Sequence, residues 1–131
     1  MKKRSGFTLI ELFIVVLVIA ILAAIAMPIL SKNIEKSKTG EVISTLNLIR
    51  MAEKDYLLDY KTKTYTTDFN LLNIDNPNNI ASANRYFNYT IPTGGLNVFT
   101  ATATRKDGPY AGDWYTIDQD GSITSSGRFQ L

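Results

Sequence analysis

Positions 12–27 of this chain are apolar without exception, and no charged residue falls between positions 12 and 31. About 20 apolar residues suffice for a helix to cross the hydrocarbon core of a bilayer, so the run is long enough to do so once. A helix apolar on every face must be covered all round, by lipid or by other helices. Just ahead of it stand Gly6-Phe7-Thr8-Leu9-Ile10-Glu11 and, before them, the basic cluster Lys2-Lys3-Arg4. Bases ahead of an apolar helix hold that end in the cytoplasm, and the remainder then faces outward. Glu11 breaks the pattern. A carboxylate at the leading edge of a membrane helix is costly, and such a residue is a functional candidate by default. Pro28 breaks it again: it has no amide proton and its ring crowds the preceding turn. A kink or local melting is therefore expected over positions 24–28.

An ordinary secretory signal fits these residues poorly. The apolar run exceeds a signal-peptide h-region, and no small-x-small cleavage site follows before polar sequence begins. The charge balance sharpens the division. Of 14 basic residues, three precede Gly6, so beyond it 11 bases face 12 acids. The net charge of +2 thus belongs to the first residues, and it implies no affinity for nucleic acid. The chain has no cysteine and no histidine. That removes disulfides, thiolate metal sites, the usual metal ligand and the usual general base. No convergent Ser-Lys or carboxylate motif replaces them, so a membrane-anchored enzyme is the weak reading and no cofactor is expected.

The segment Gly6-Phe7-Thr8-Leu9-Ile10-Glu11 behind a short basic leader resembles the processing site of type IV pilins and the related pseudopilins. Gly6, Phe7 and Glu11 match that family's pattern position for position. Pro28 matches a proline common late in the segment, whereas Ala20 stands where many members have glycine. The resemblance is close over roughly the first 30 residues. It implies cleavage by a prepilin peptidase between Gly6 and Phe7, N-methylation of Phe7, and an assembly contact between the freed Phe7 amine and Glu11 of a neighbouring copy. It also implies a precursor held in the inner membrane, with assembly machinery and further copies of the chain as partners and an extracellular filament as the product. A type IV pilus subunit is the reading preferred here, with a major pseudopilin of a secretion or DNA-uptake machine as the alternative.

The expected division is a leader over 1–6, an apolar helix over 7–30, and a soluble head over 31–131. Past position 31 the pattern turns amphipathic. Ile34, Val42, Leu46, Ile49, Tyr56 and Tyr60 fall on one helical stripe, flanked by Ile43, Ala52 and Leu57. Glu35, Lys36, Lys38, Glu41, Arg50 and Asp59 are expected on the wet face. One helix from about residue 8 to about residue 60 follows. Positions 61–84 read as a loop-rich connection, with Leu71, Leu72 and Ile74 capping the core from a short turn after Asp68. Positions 85–131 read as an antiparallel sheet of three or four strands. In it Phe87, Tyr89 and Ile91 share one face, and so do Phe99, Ala101 and Ala103. Pro92-Thr93-Gly94-Gly95 reads as a turn. The fold class is α+β, a long helix on a small sheet, as in pilins. Asp118-Gln119-Asp120-Gly121 has two carboxylates at a calcium-loop spacing, which makes Asp118 and Asp120 weak metal candidates. The rest of an EF-hand pattern is missing, and a hairpin turn is the better reading.

Overall fold

The computed structural model describes residues 6–59, 62–83 and 86–126. The leader residues Lys2, Lys3 and Arg4 and the stripe residue Tyr60 lie outside them. The chain divides into two compact units, Met1–Lys36 and Ser37–Leu131.

A single helix, α1, runs from Leu9 to Leu58. Pro28 lies inside it, and residues 24–28 remain helical. The local melting expected there is absent. A proline inside a helix still withholds one amide, so the carbonyl of Ala24 loses its intrahelical partner. In the first unit, residues 6–34 are exposed apart from a partly covered Ala23.

The second unit has its own core. Four antiparallel strands follow the helix in a meander of order β1-β2-β3-β4. They are β1 (Phe87–Gly94), β2 (Phe99–Arg105), β3 (Trp114–Asp118) and β4 (Ile123–Ser125). Alternation along β1 buries Phe87, Tyr89 and Ile91 and leaves Asn88 and Thr90 exposed. On β2, Phe99, Ala101 and Ala103 are wholly buried beside Thr100, Thr102 and Thr104, which stay partly open. Register fixes which residues share a row. Tyr89 pairs with Ala103, and Ala103 with Tyr115. A slip of one residue would turn every one of these side chains to the other face.

The helix packs on this sheet through Val42, Leu46 and Ile49, all with no exposed surface. Ala101 and Ala103 keep the middle of the sheet low, and the larger rings fill its flanks. Tyr65 stacks tilted on Phe99 with centroids 5.5 Å apart, and Phe87 meets Tyr115 edge-on at 6.2 Å. Such pairs add to plain area burial.

Several side chains depart from the sequence expectation. Ile34 is 46% exposed, so the buried stripe begins only at Thr39 and Val42. The turn after Asp68 is a 3-10 turn, Phe69–Leu71, capped by the Asp68 side chain. At three residues per turn, Phe69 and Leu72 share a face. Both are buried, and Leu71 points outward. Of the turn expected at positions 92–95, residues 92–94 are instead strand, and the bend begins at Gly95. Pairing is interrupted between Thr90 and Thr93, then resumes through Gly94 opposite Phe99. Pro92 has no N–H to lose and suits that irregularity. Asn78 closes the outer edge of β1: its side chain accepts from the Tyr89 amide and donates to the Tyr89 carbonyl, both at 2.8 Å.

Two leucines on α1 separate core from surface. Leu46→Ala removes a fully buried side chain and should cost about 2–5 kcal/mol. Leu48→Ala acts on a side chain 48% exposed and should cost under about 0.5 kcal/mol. Thermal unfolding of the two variants in the same detergent checks the assignment.

Candidate assembly segment

The functional residues suggested by the sequence cluster at the start of α1, and their local geometry explains how a carboxylate is held there. The first amides of a helix have no intrahelical acceptor. Thr8 precedes the helix, and its amide donates to Glu11 Oε2 at 2.8 Å. Its hydroxyl donates to the same oxygen at 2.7 Å, while the Glu11 amide donates back to Thr8 Oγ1 at 3.3 Å. This is the reciprocal capping box of a Thr-x-x-Glu sequence. Sequence reading missed it, although Thr8-Leu9-Ile10-Glu11 before an apolar run carries that signature. Both donors end on Oε2. Glu11 Oε1 takes no hydrogen bond among the described residues and remains free to accept one.

Around this cap the helix is bare. Phe7 is 83% exposed and Leu9 88%. The run behind them is long and apolar enough to cross a membrane. Each large apolar side chain moved from water to an apolar setting gains roughly 1.5–3 kcal/mol. An exposed surface of this extent marks a segment made to be covered. Gly6 and Phe7 lie just ahead of the helix, next to the cap.

The other candidates resolve differently. Asp118 Oδ1 accepts from the amides of Asp120 at 3.0 Å and Ser122 at 2.8 Å. Its carboxylate is thus turned onto its own hairpin, where Gly121 adopts φ +92°. Among the described residues no group of three His, Cys, Asp or Glu side chains could hold a metal ion. Arg50, expected on the wet face, reaches this hairpin instead. Its Nε donates to the Gln119 carbonyl at 3.1 Å. The guanidinium lies so close to Gly121 that a Cβ there would stand 3.1 Å from its Cζ.

Comparison with known proteins bears on the same segment. The model of the prokaryotic N-terminal methylation motif matches residues 1–27. Fimbrial protein Q of Moraxella bovis is 45% identical over 62 residues, 47% of this chain and 40% of the relative. The type IV major fimbrial protein FimA of Dichelobacter nodosus is 48% identical over 58 residues, 44% of this chain and 37% of the relative. Over its N-terminal segment the chain is thus similar to type IV fimbrial proteins and carries their methylation motif. The matched region spans about two fifths of the length of these relatives. Among solved structures, the non-core minor pilin PilV of Neisseria meningitidis aligns with a TM-score of 0.56. It is 23% identical, and the alignment covers 76% of this chain and 94% of PilV. At that identity the likeness establishes the pilin fold. The relatives are structural proteins, not enzymes.

The cap makes a local prediction. Thr8→Ala deletes the hydroxyl half of the box and should cost about 0.5–2 kcal/mol at the helix start. Amide exchange in micelles should accelerate at residues 9–11 and stay unchanged beyond the second turn.

Proposed function

We propose that this pilin is a structural subunit of a type IV pilus, stored in the inner membrane and polymerised through α1. The observation that carries the reading is the contrast between the two units. The head buries its own apolar residues, whereas the front of α1 leaves its apolar residues open and holds one capped carboxylate among them. A segment of that kind is stable in lipid or inside a bundle of like helices, and not in water.

The chemistry of assembly follows from the termini. Hydrolysis of the Gly6–Phe7 bond by a prepilin peptidase removes the basic leader and leaves a cationic amine on Phe7. Methylation of that nitrogen keeps its charge, as it does for lysine. In a bundle the amine meets Glu11 Oε1 of a neighbour, while Oε2 stays engaged by Thr8. Two opposite charges among apolar side chains attract strongly, and either alone costs about 3–5 kcal/mol when left unpaired. The pair therefore selects one axial register of subunit against subunit. Within this scheme Pro28 marks the place where α1 has one hydrogen bond fewer and bends most readily as subunits pack.

The test uses two variants of the full chain in its natural host. Gly6→Val should block processing and leave precursor with its leader in the membrane. Glu11→Ala should be cleaved and methylated normally but yield few or no fibres, read by N-terminal mass spectrometry and negative-stain microscopy of sheared surface material. Normal cleavage of the first variant, or abundant fibres from the second, contradicts the corresponding step. Correct processing of the unaltered chain without surface fibres would instead place it in a periplasmic pseudopilus.

A further inference from the structure

The buried stripe of α1 that runs through Val42, Leu46 and Ile49 meets a carboxylate at its next step, Glu53. That side chain has no exposed surface. Its Oε2 accepts one hydrogen bond, from the Thr66 amide at 3.0 Å. Its Oε1 is buried and has no partner. Among the described residues no base pairs with it; a buried carboxylate held by one amide alone is a poor arrangement, whereas the neutral acid is a tolerable one. A proton on Oε1 leaves Oε2 accepting from Thr66 as before.

The contact sits where the chain crosses from the helix to the sheet. Thr66 is buried, and its Oγ1 accepts from the Asp68 amide at 3.0 Å. The neighbouring Tyr65 amide donates to the Gly95 carbonyl at 2.9 Å. Gly94 packs so tightly on this crossing that a Cβ there would lie 2.7 Å from the Thr66 carbonyl carbon and oxygen. Glu53 thus holds a strand of loop that is wedged between α1 and the end of β1.

We propose that Glu53 is a proton-dependent latch on the crossing at residues 62–66: with its carboxyl neutral the crossing is clamped between α1 and β1, and with the carboxyl ionised the clamp is weakened.

The surroundings agree. Burial is the dominant influence on the carboxyl, partly opposed by the Thr66 amide, and together they push it up to about 7. The ionisable residues beside Glu53 along α1 are Arg50, Lys54, Asp55 and Tyr56, those on the crossing are Lys63 and Tyr65, and Asp68 follows it. None of them contributes to that displacement among the described residues. The end of β1 and the start of β2, positions 91–100, bring no ionisable group. The sign is that of a carboxyl raised on folding. Its contribution is fully present below the ordinary value of 4.5 and is lost as pH rises through about 7. The gap between 4.5 and about 7 corresponds to a change on the order of a few hundredfold in the unfolding constant.

The test compares the full chain with Glu53→Gln in detergent micelles from pH 4 to pH 9. The wild type should lose stability relative to the glutamine variant by on the order of a hundredfold in the unfolding constant over that range. Corrected exchange of the Thr66 amide should accelerate with the same midpoint in the wild type and stay flat in the variant. Parallel stability curves would overturn the latch. Should the variant fail to fold, the wild type alone decides, through NMR titration of the Glu53 carboxyl carbon. A midpoint near neutrality that moves together with the Thr66 amide supports the proposal, and an ordinary carboxylate midpoint overturns it.

Discussion

Water cannot satisfy the front of α1. From Leu9 onward its large apolar side chains stand open on every face, with exposures between 47% and 88% among those up to Leu30. Their transfer from water is worth roughly 1.5–3 kcal/mol each, and summed over the segment it exceeds the ordinary stability of a domain, about 5–15 kcal/mol. Lipid and a bundle of identical helices are the two environments that meet the demand, and α1 suits both because its backbone bonds to itself. Against that background Glu11 is informative. The capping box with Thr8 lets a carboxylate be carried at the helix start without stranding it, and leaves one oxygen for a partner. In the proposed filament, that oxygen is the polar group able to choose a register, while the apolar side chains behind it carry no such preference.

The head is constructed to be self-sufficient. Its core is one cluster from α1, the connection after it and strands β1–β3, with Ile123 of β4 packed against it, and it has no disulfide to rely on. Polar links tie α1 to distant parts of the chain at three levels. Thr39 meets the Tyr115 hydroxyl at 3.5 Å, Arg50 holds the Gln119 carbonyl, and Glu53 holds the Thr66 amide. These fix the helix stripe over the sheet more specifically than apolar contact can, since buried polar groups tolerate few alternative partners. The cost is concentrated at Glu53, where one oxygen goes without.

Much of this was legible in the chain itself. Period and composition located the long helix, and alternation located the strands to within a few residues. The motif at Gly6, Phe7 and Glu11 falls inside residues 1–27, which the methylation-motif model also matches. What escaped was tertiary. Nothing in the run from 86 to 95 announces that Pro92 sits at an irregularity inside a strand, since an X-Pro step followed by two glycines is ordinary turn chemistry. Arg50 reads as a solvated charge, and nothing nearby in the chain marks Glu53 as buried, until the hairpin and the crossing at Thr66 arrive over them from 69 and 13 residues away. Leu71 and Leu72 are neighbours of one type, and only the pitch of a 3-10 turn decides which of them is buried. Thr8-x-x-Glu11, by contrast, was readable and was overlooked beside the louder anomaly of the carboxylate.

Methionine oxidation in native fibres tests the central claim most directly. Met27 closes the unbroken apolar run and is 69% exposed in the single chain. If the front of α1 is buried among copies of itself, peroxide applied to detergent-free sheared fibres should leave Met27 intact while oxidising it rapidly in the denatured chain. Oxidation of Met27 in intact fibres at the rate of the denatured chain would contradict the account.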